Sequence, residues 1–127
     1  MFSRTALLVS LFLMLTLVGA GYFFSGAKFG TPQFDTSKRV FFSSKSCAEC
    51  LTMENWLADK KISEKTPIEH REVNIPIVQA ELQQAASYCK LNTNQGTELP
   101  LLFAEGKCYQ RAPEIKDYFK QKLNFVD

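Results

Sequence analysis

The stretch RVFFSSKSCAECLTMENWLADK, Arg39 to Lys60, decides the reading of the whole chain. Arg39 to Ser43 is a short β-branched and aromatic run, which predicts a strand. It ends in Ser43-Ser44-Lys45-Ser46, a polar turn. From Cys47 onward Leu51, Trp56, Leu57 and Ile62 keep roughly helical spacing, and Lys60-Lys61 suit the negative end of a helix dipole. Two cysteines, Cys47 and Cys50, stand at the junction with two residues between them. Their spacing admits electron exchange, metal binding or a staple.

Downstream, Ile68 to Ile75 (IEHREVNI) alternates loosely and predicts a second strand bounded by Pro67 and Pro76. A helix is expected from about Ile77 to Leu91, with Ile77, Val78, Leu82, Ala85, Ala86 and Tyr88 available for its buried face. The polar segment NTNQGTE breaks it. LPLLFA, Glu105-Gly106 and KCYQ then predict a hairpin. Pro113 is expected as the first residue of a last helix, with acidic residues early and Lys120 and Lys122 late. The order is β-α-β-α-β-β-α. A helical crossover makes the first two strands parallel, and the hairpin closes the sheet. The expected fold is α/β: a mixed four-stranded sheet with helices on both faces.

Upstream, residues 1–24 are a different material. Apart from Arg4, no charge occurs before Lys28, and the apolar run reaches the length of roughly 20 residues that crosses a bilayer. The segment reads as a signal anchor or a signal peptide, cut after Val18-Gly19-Ala20 or Ser25-Gly26-Ala27 in the second case. Tyr22, Phe23 and Phe24 suit an interfacial belt and tilt the reading toward the anchor. Lys28, Lys38 and Arg39 oppose export by charge count alone. The short tail and immediate apolar core favour it, placing the domain on the extracytoplasmic, periplasmic side, or secreted if cleaved. Residues 25–37 read as a linker, and 38–127 as one compact domain. Its roughly 90 residues make a core that benefits from extra constraints. The 15 basic and 13 acidic residues are scattered with no basic stripe, so charge gives no reason to expect a nucleic-acid partner.

A cysteine at the first turn of a helix meets unpaired backbone N–H groups, whose positive potential stabilises a thiolate. Cys47 is therefore expected to ionise more readily than a free thiol, and Cys50, one turn on, to resolve a mixed disulfide formed on it. Glu49 opposes this ionisation, and Lys45 supports it. A CxxC opening a helix after the first strand of a βαβ unit, with no second CxxC, points to redox chemistry. Zinc would need four thiolates in closed geometry. Cys47, Cys50, Cys89 and Cys108 supply the number without knuckle spacing, so no metal is expected. A purely structural Cys47–Cys50 bond would close too short a loop to stabilise much.

Lys38 to Asp127 resembles the glutaredoxin-like branch of the thioredoxin superfamily, through VFFSSKSCAEC, LPLLFAEGKCYQ and APEIKDYFKQKL. The resemblance implies a cis proline before the third strand, here Pro100, facing the active-site disulfide. It implies a backbone beside it, that of Leu99, which pairs with the bound partner. Lys45 stands for the family's basic residue near the first cysteine, one position out of register. Ala48 and Glu49 replace the family's usual Pro and Tyr, and YQRAPEI lacks the Gly-Gly and acidic residue that hold glutathione. No organic cofactor is expected; glutathione stays open as a cosubstrate, with these departures counting against it.

Cys89 and Cys108 are candidates for a second disulfide or for two small buried apolar residues. His70 reads as a surface or partly buried strand residue rather than a base, and Trp56 as core. The function expected is thiol–disulfide oxidoreduction by the Cys47–Cys50 pair on protein or small-molecule thiols, by a monomer touching the membrane through its N-terminal segment. The rival is a non-catalytic module of the same fold with a structural disulfide or a bound zinc. The direction, reductase or oxidase, stays open.

Overall fold

The computed structural model describes residues 8–11, 13, 14 and 34–126. The chain divides into two units, Met1–Thr31 and Pro32–Asp127. In the first, the described residues are helical, and Leu8, Val9, Leu11, Leu13 and Met14 are exposed. Among the described residues no helix is long and apolar enough to cross a membrane. Most of the signal or anchor segment 1–24, with Tyr22 to Phe24, lies outside them, as do residues 25–33 of the linker.

The second unit holds four strands, β1 (Val40–Ser43), β2 (Glu69–Glu72), β3 (Leu101–Ala104) and β4 (Lys107–Gln110). The helices are α1 (Ala48–Asp59), the single turn α2 (Ile62–Lys65), α3 (Pro76–Tyr88) and α4 (Arg111–Leu123). The sheet order is β2-β1-β3-β4, with β1 parallel to β2 and antiparallel to β3, and β3 antiparallel to β4. This is the expected mixed α/β architecture.

The period of two along a strand explains the layering. Phe41, Leu102 and Ala104 point to one face, where Met53 and Leu57 of α1, Ile62 of α2, and Ile115 and Phe119 of α4 cover them. Val40, Phe42, Leu101 and Phe103 point to the other, under Val78, Leu82 and Ala85 of α3. Both central strands are buried throughout, as strands covered on two faces must be. Edge strand β2 carries Glu69 and Arg71, paired at 2.6 Å, and such charges discourage edge-to-edge association. Phe34, ahead of β1, sets its ring edge-on to Phe103 at 4.6 Å and so joins the second layer.

The elements depart from expectation in four places. The buried stripe of α1 is Cys50, Met53 and Leu57, while Leu51 is exposed. Ile62 lies about 140° round a helix from Leu57 and would miss the core in a continuous one. A break at Lys61, φ 51°, turns it inward. On α3 the buried set is Val78, Leu82, Ala85 and Ala86; Ile77 and Tyr88 are exposed. That helix starts with Pro76, whose φ suits a first helical position. It stops at Tyr88 instead of Leu91 because Lys90 turns left-handed, φ 56°, and lets Leu91 N–H donate to the Ala86 carbonyl at 2.9 Å. The second strand shortens to Glu69–Glu72. Helix α4 begins at Arg111, so Pro113 falls inside its first turn, where a missing N–H is not needed.

The hairpin turns on Glu105 and Gly106, both with positive φ (53° and 76°), as a two-residue hairpin requires. The Glu105 carboxylate accepts hydrogen bonds from Lys122 Nζ and, at 2.9 Å, from the Arg39 guanidinium, whose Nε donates to Tyr118 Oη at 3.0 Å. Lys122, then Arg39, hold the Glu105 carboxyl below its ordinary range. A depressed folded pKa means a contribution present above the unfolded value and lost as pH falls through the folded one. Glu105→Gln is therefore expected to flatten part of the acid limb when urea midpoints are followed downward from neutral pH. The two proteins should converge once the carboxyl is protonated in both states. At neutral pH the difference should be small, because the pair is solvent-exposed.

Candidate active site

The chemistry-bearing residues gather at the end of the sheet where β1 and β2 finish and β3 begins. Beyond Ser43 the chain turns sharply: Cys47 N–H donates to the Ser44 carbonyl at 3.0 Å. Cys47 is the N-cap of α1, with extended backbone (φ −98°, ψ 110°). Its carbonyl accepts Leu51 N–H at 3.2 Å, and its Sγ accepts Cys50 N–H at 3.1 Å. This is the contact of a sulfur cap, one of the helix's orphan donors meeting the sulfur directly.

Cys47 and Cys50 are disulfide-bonded, with Cα atoms 5.2 Å apart. Their surroundings differ. Cys47 is half-buried and reachable, whereas Cys50 is 0% exposed. The pair therefore has an outer sulfur that a partner can touch and an inner one that only its neighbour can.

The loop ahead of Cys47 is tied to the end of β2. Ser44 Oγ donates to Asn74 Oδ1 at 3.4 Å and shares a 2.9 Å hydrogen bond with Ser46 Oγ, while Lys45 N–H donates to Glu72 Oε1 at 3.3 Å. Behind it, Ser43 Oγ donates to Glu54 Oε1 at 2.6 Å. The Lys45 side chain is exposed beside the cysteine turn.

Pro100 arrives at the same end by register. Phe42 faces Leu101, so the residues one step beyond, Ser43 and Pro100, are neighbours across the two strands. Pro100 is fully buried and its bond to Leu99 is cis. Leu99 is half-buried, and its backbone makes no hydrogen bond among the described residues. A link unforeseen in the sequence joins this segment to the cysteines. Arg111 N–H donates to the Pro100 carbonyl at 3.0 Å, and the next amide, Ala112 N–H, donates to Glu49 Oε1 at 2.9 Å. Residues 63 apart in the chain offer no local pattern from which that contact follows.

Cys89 and Cys108 form a second disulfide, Cα atoms 6.0 Å apart, between the end of α3 and β4. Cys108 faces Phe103, which faces Val40, so this bond sits toward the opposite end of the sheet from Cys47. The two cysteine pairs therefore lie toward opposite ends of the sheet. Among the described residues no three His, Cys, Asp or Glu side chains cluster as metal ligands. His70 is exposed on β2, with its ring edge-on to Phe41 at 5.5 Å. Trp56 is half-buried at the rim of the first layer, against Phe125.

The mixed sheet, its flanking helices and the Cys47–Cys50 bond at the first strand–helix junction are compatible with a thioredoxin-like fold, and the bond with a redox or a structural role. No known family model matches the chain, and no curated protein sequence matches it.

Proposed function

We propose that this chain is a glutaredoxin-like thiol–disulfide oxidoreductase, held at a membrane by its N-terminal segment with the domain on the extracytoplasmic side. The observation that carries the reading is the asymmetry of the pair: a reachable Cys47 Sγ accepting a helix-opening N–H, beside a wholly buried Cys50. In the reducing direction the Cys47 thiolate attacks a substrate disulfide. A Cys47–substrate bond forms, and the other substrate sulfur leaves as a thiolate. The buried Cys50 then attacks Cys47 Sγ, its proton passing to the departing substrate sulfur, which leaves as the second thiol while the Cys47–Cys50 bond forms. A dithiol partner restores the pair; run backward, the same steps oxidise a substrate dithiol. Lys45 attracts an anionic partner, and Leu99-Pro100 offers the partner chain a backbone edge. The domain acts as a monomer without an organic cofactor, on protein or small-molecule thiols.

The test is the pH dependence of Cys47 alkylation in protein whose Cys47–Cys50 bond alone has been reduced. The rate is expected to reach half its plateau below the free-thiol value of about 8.5. A midpoint at or above that value would overturn the reading.

A further inference from the structure

We infer that Glu49 is a positioning residue that clamps the cysteine turn to the Leu99–Pro100 segment and biases the centre toward its disulfide. The inference deepens the oxidoreductase reading and rests on it. Glu49 is exposed, yet its carboxylate is held on a backbone amide of another element, Ala112 N–H in the first turn of α4. The preceding amide, Arg111 N–H, holds the Pro100 carbonyl. Two consecutive amides of α4 thus grip two different segments, one bearing the sulfurs and one bearing Leu99. The β1–β3 register sets these segments side by side, and Glu49 is the side chain that ties the cysteine turn to α4.

The charge has its own consequence. Glu49 stands between the two cysteines in sequence, and a negative group there disfavours a thiolate on Cys47 while leaving the uncharged disulfide unaffected. Around this end of the sheet the other charged groups include Lys45, Glu54 (held by Ser43 Oγ), Glu72, Glu98, Arg111 and Glu114, whose carboxylate accepts Gln110 N–H at 2.8 Å. Glu98 and Arg111 pair with each other at 3.4 Å, and Glu72 accepts the Lys45 N–H. The Glu49 charge therefore acts against the reduced form, and the Glu49 hydrogen bond acts on geometry. The two roles separate by substitution.

Glu49→Gln keeps an acceptor oxygen for Ala112 N–H and removes the charge; Glu49→Ala removes both. The exposed position lets both variants fold, which far-ultraviolet circular dichroism checks. In glutathione redox buffers, both variants are expected to shift the Cys47–Cys50 equilibrium toward the dithiol by about threefold, the scale of one nearby charge in water. Amide exchange at Ala112 should accelerate in Glu49→Ala and stay near the parent rate in Glu49→Gln. Unchanged equilibria in both variants, or equal exchange at Ala112 in all three proteins, would overturn the inference. A Cys47 that alkylates like a free thiol in the parent protein would instead strike at the oxidoreductase reading, while the exchange rates would still report on the clamp.

Discussion

Cys47→Ser is expected to abolish disulfide turnover, and Cys50→Ser to turn the protein into a trap that keeps its first partner. The reason lies in access. Cys47 is the only sulfur of the pair that an incoming disulfide reaches, since Cys50 is 0% exposed beneath it. A serine hydroxyl at the helix cap still accepts the Cys50 N–H, so the fold survives, but at neutral pH it supplies no nucleophile comparable to a thiolate. The rate should fall by on the order of 10³-fold or more. In Cys50→Ser the first displacement proceeds and the second has no sulfur to perform it. About one partner per chain should then accumulate, released by added reductant. Non-reducing electrophoresis and intact mass read both results. Equal turnover in parent and variants, or a Cys50→Ser protein that collects no adduct, would refute catalysis by this pair.

Replacing the second disulfide, Cys89→Ala with Cys108→Ala, should lower stability by about 3 kcal/mol. The bond joins residues 19 apart, so breaking it releases a substantial loop in the unfolded chain. For a domain of this size the corresponding fall in melting temperature is about 15 °C. Alanine is the suitable replacement because both cysteines are half-buried against the apolar layer under α3. The loop it closes contains Leu99 and Pro100, so loosening should also weaken partner docking. Serine at Cys47 with alanine at the buried Cys50 should cost less, since those residues are only 3 apart and their bond restricts the unfolded chain little. Thermal melts of the two double variants decide the matter. A Cys89→Ala, Cys108→Ala protein melting within about 3 °C of the parent would show that the bond contributes little beyond its two buried side chains.

Local signals carried most of the fold. Arg39 to Ser43 is apolar, bounded by a serine-rich turn and followed by a helical pattern, and β1 and α1 form there. Glu105-Gly106 lies between two runs of strand-forming residues, and the hairpin turns on it. What escaped the sequence was set by tertiary geometry. Ile77 is as apolar as its buried neighbours, but the direction from which the sheet approaches α3 leaves it outside, while Tyr88 sets its ring edge-on to Phe103 at 5.6 Å and keeps its other side in solvent. The break at Lys61 answers a demand of the core on Ile62 and uses a residue that carries no left-handed preference. At the site, the Cys47 cap follows from the spacing of strand, turn and cysteines. The grip of α4 on Glu49 and Pro100 joins three segments distant in the chain, and it exists only once all are folded.

The separation of the two disulfides along the sheet has a practical corollary. The Glu105–Gly106 tip and the adjoining exposed Lys107 stand at the rim remote from Cys47. A fluorophore or a resin linkage attached through Lys107 would leave the sulfur that meets partners unobstructed, so immobilised protein should capture and release cargo as freely as protein in solution.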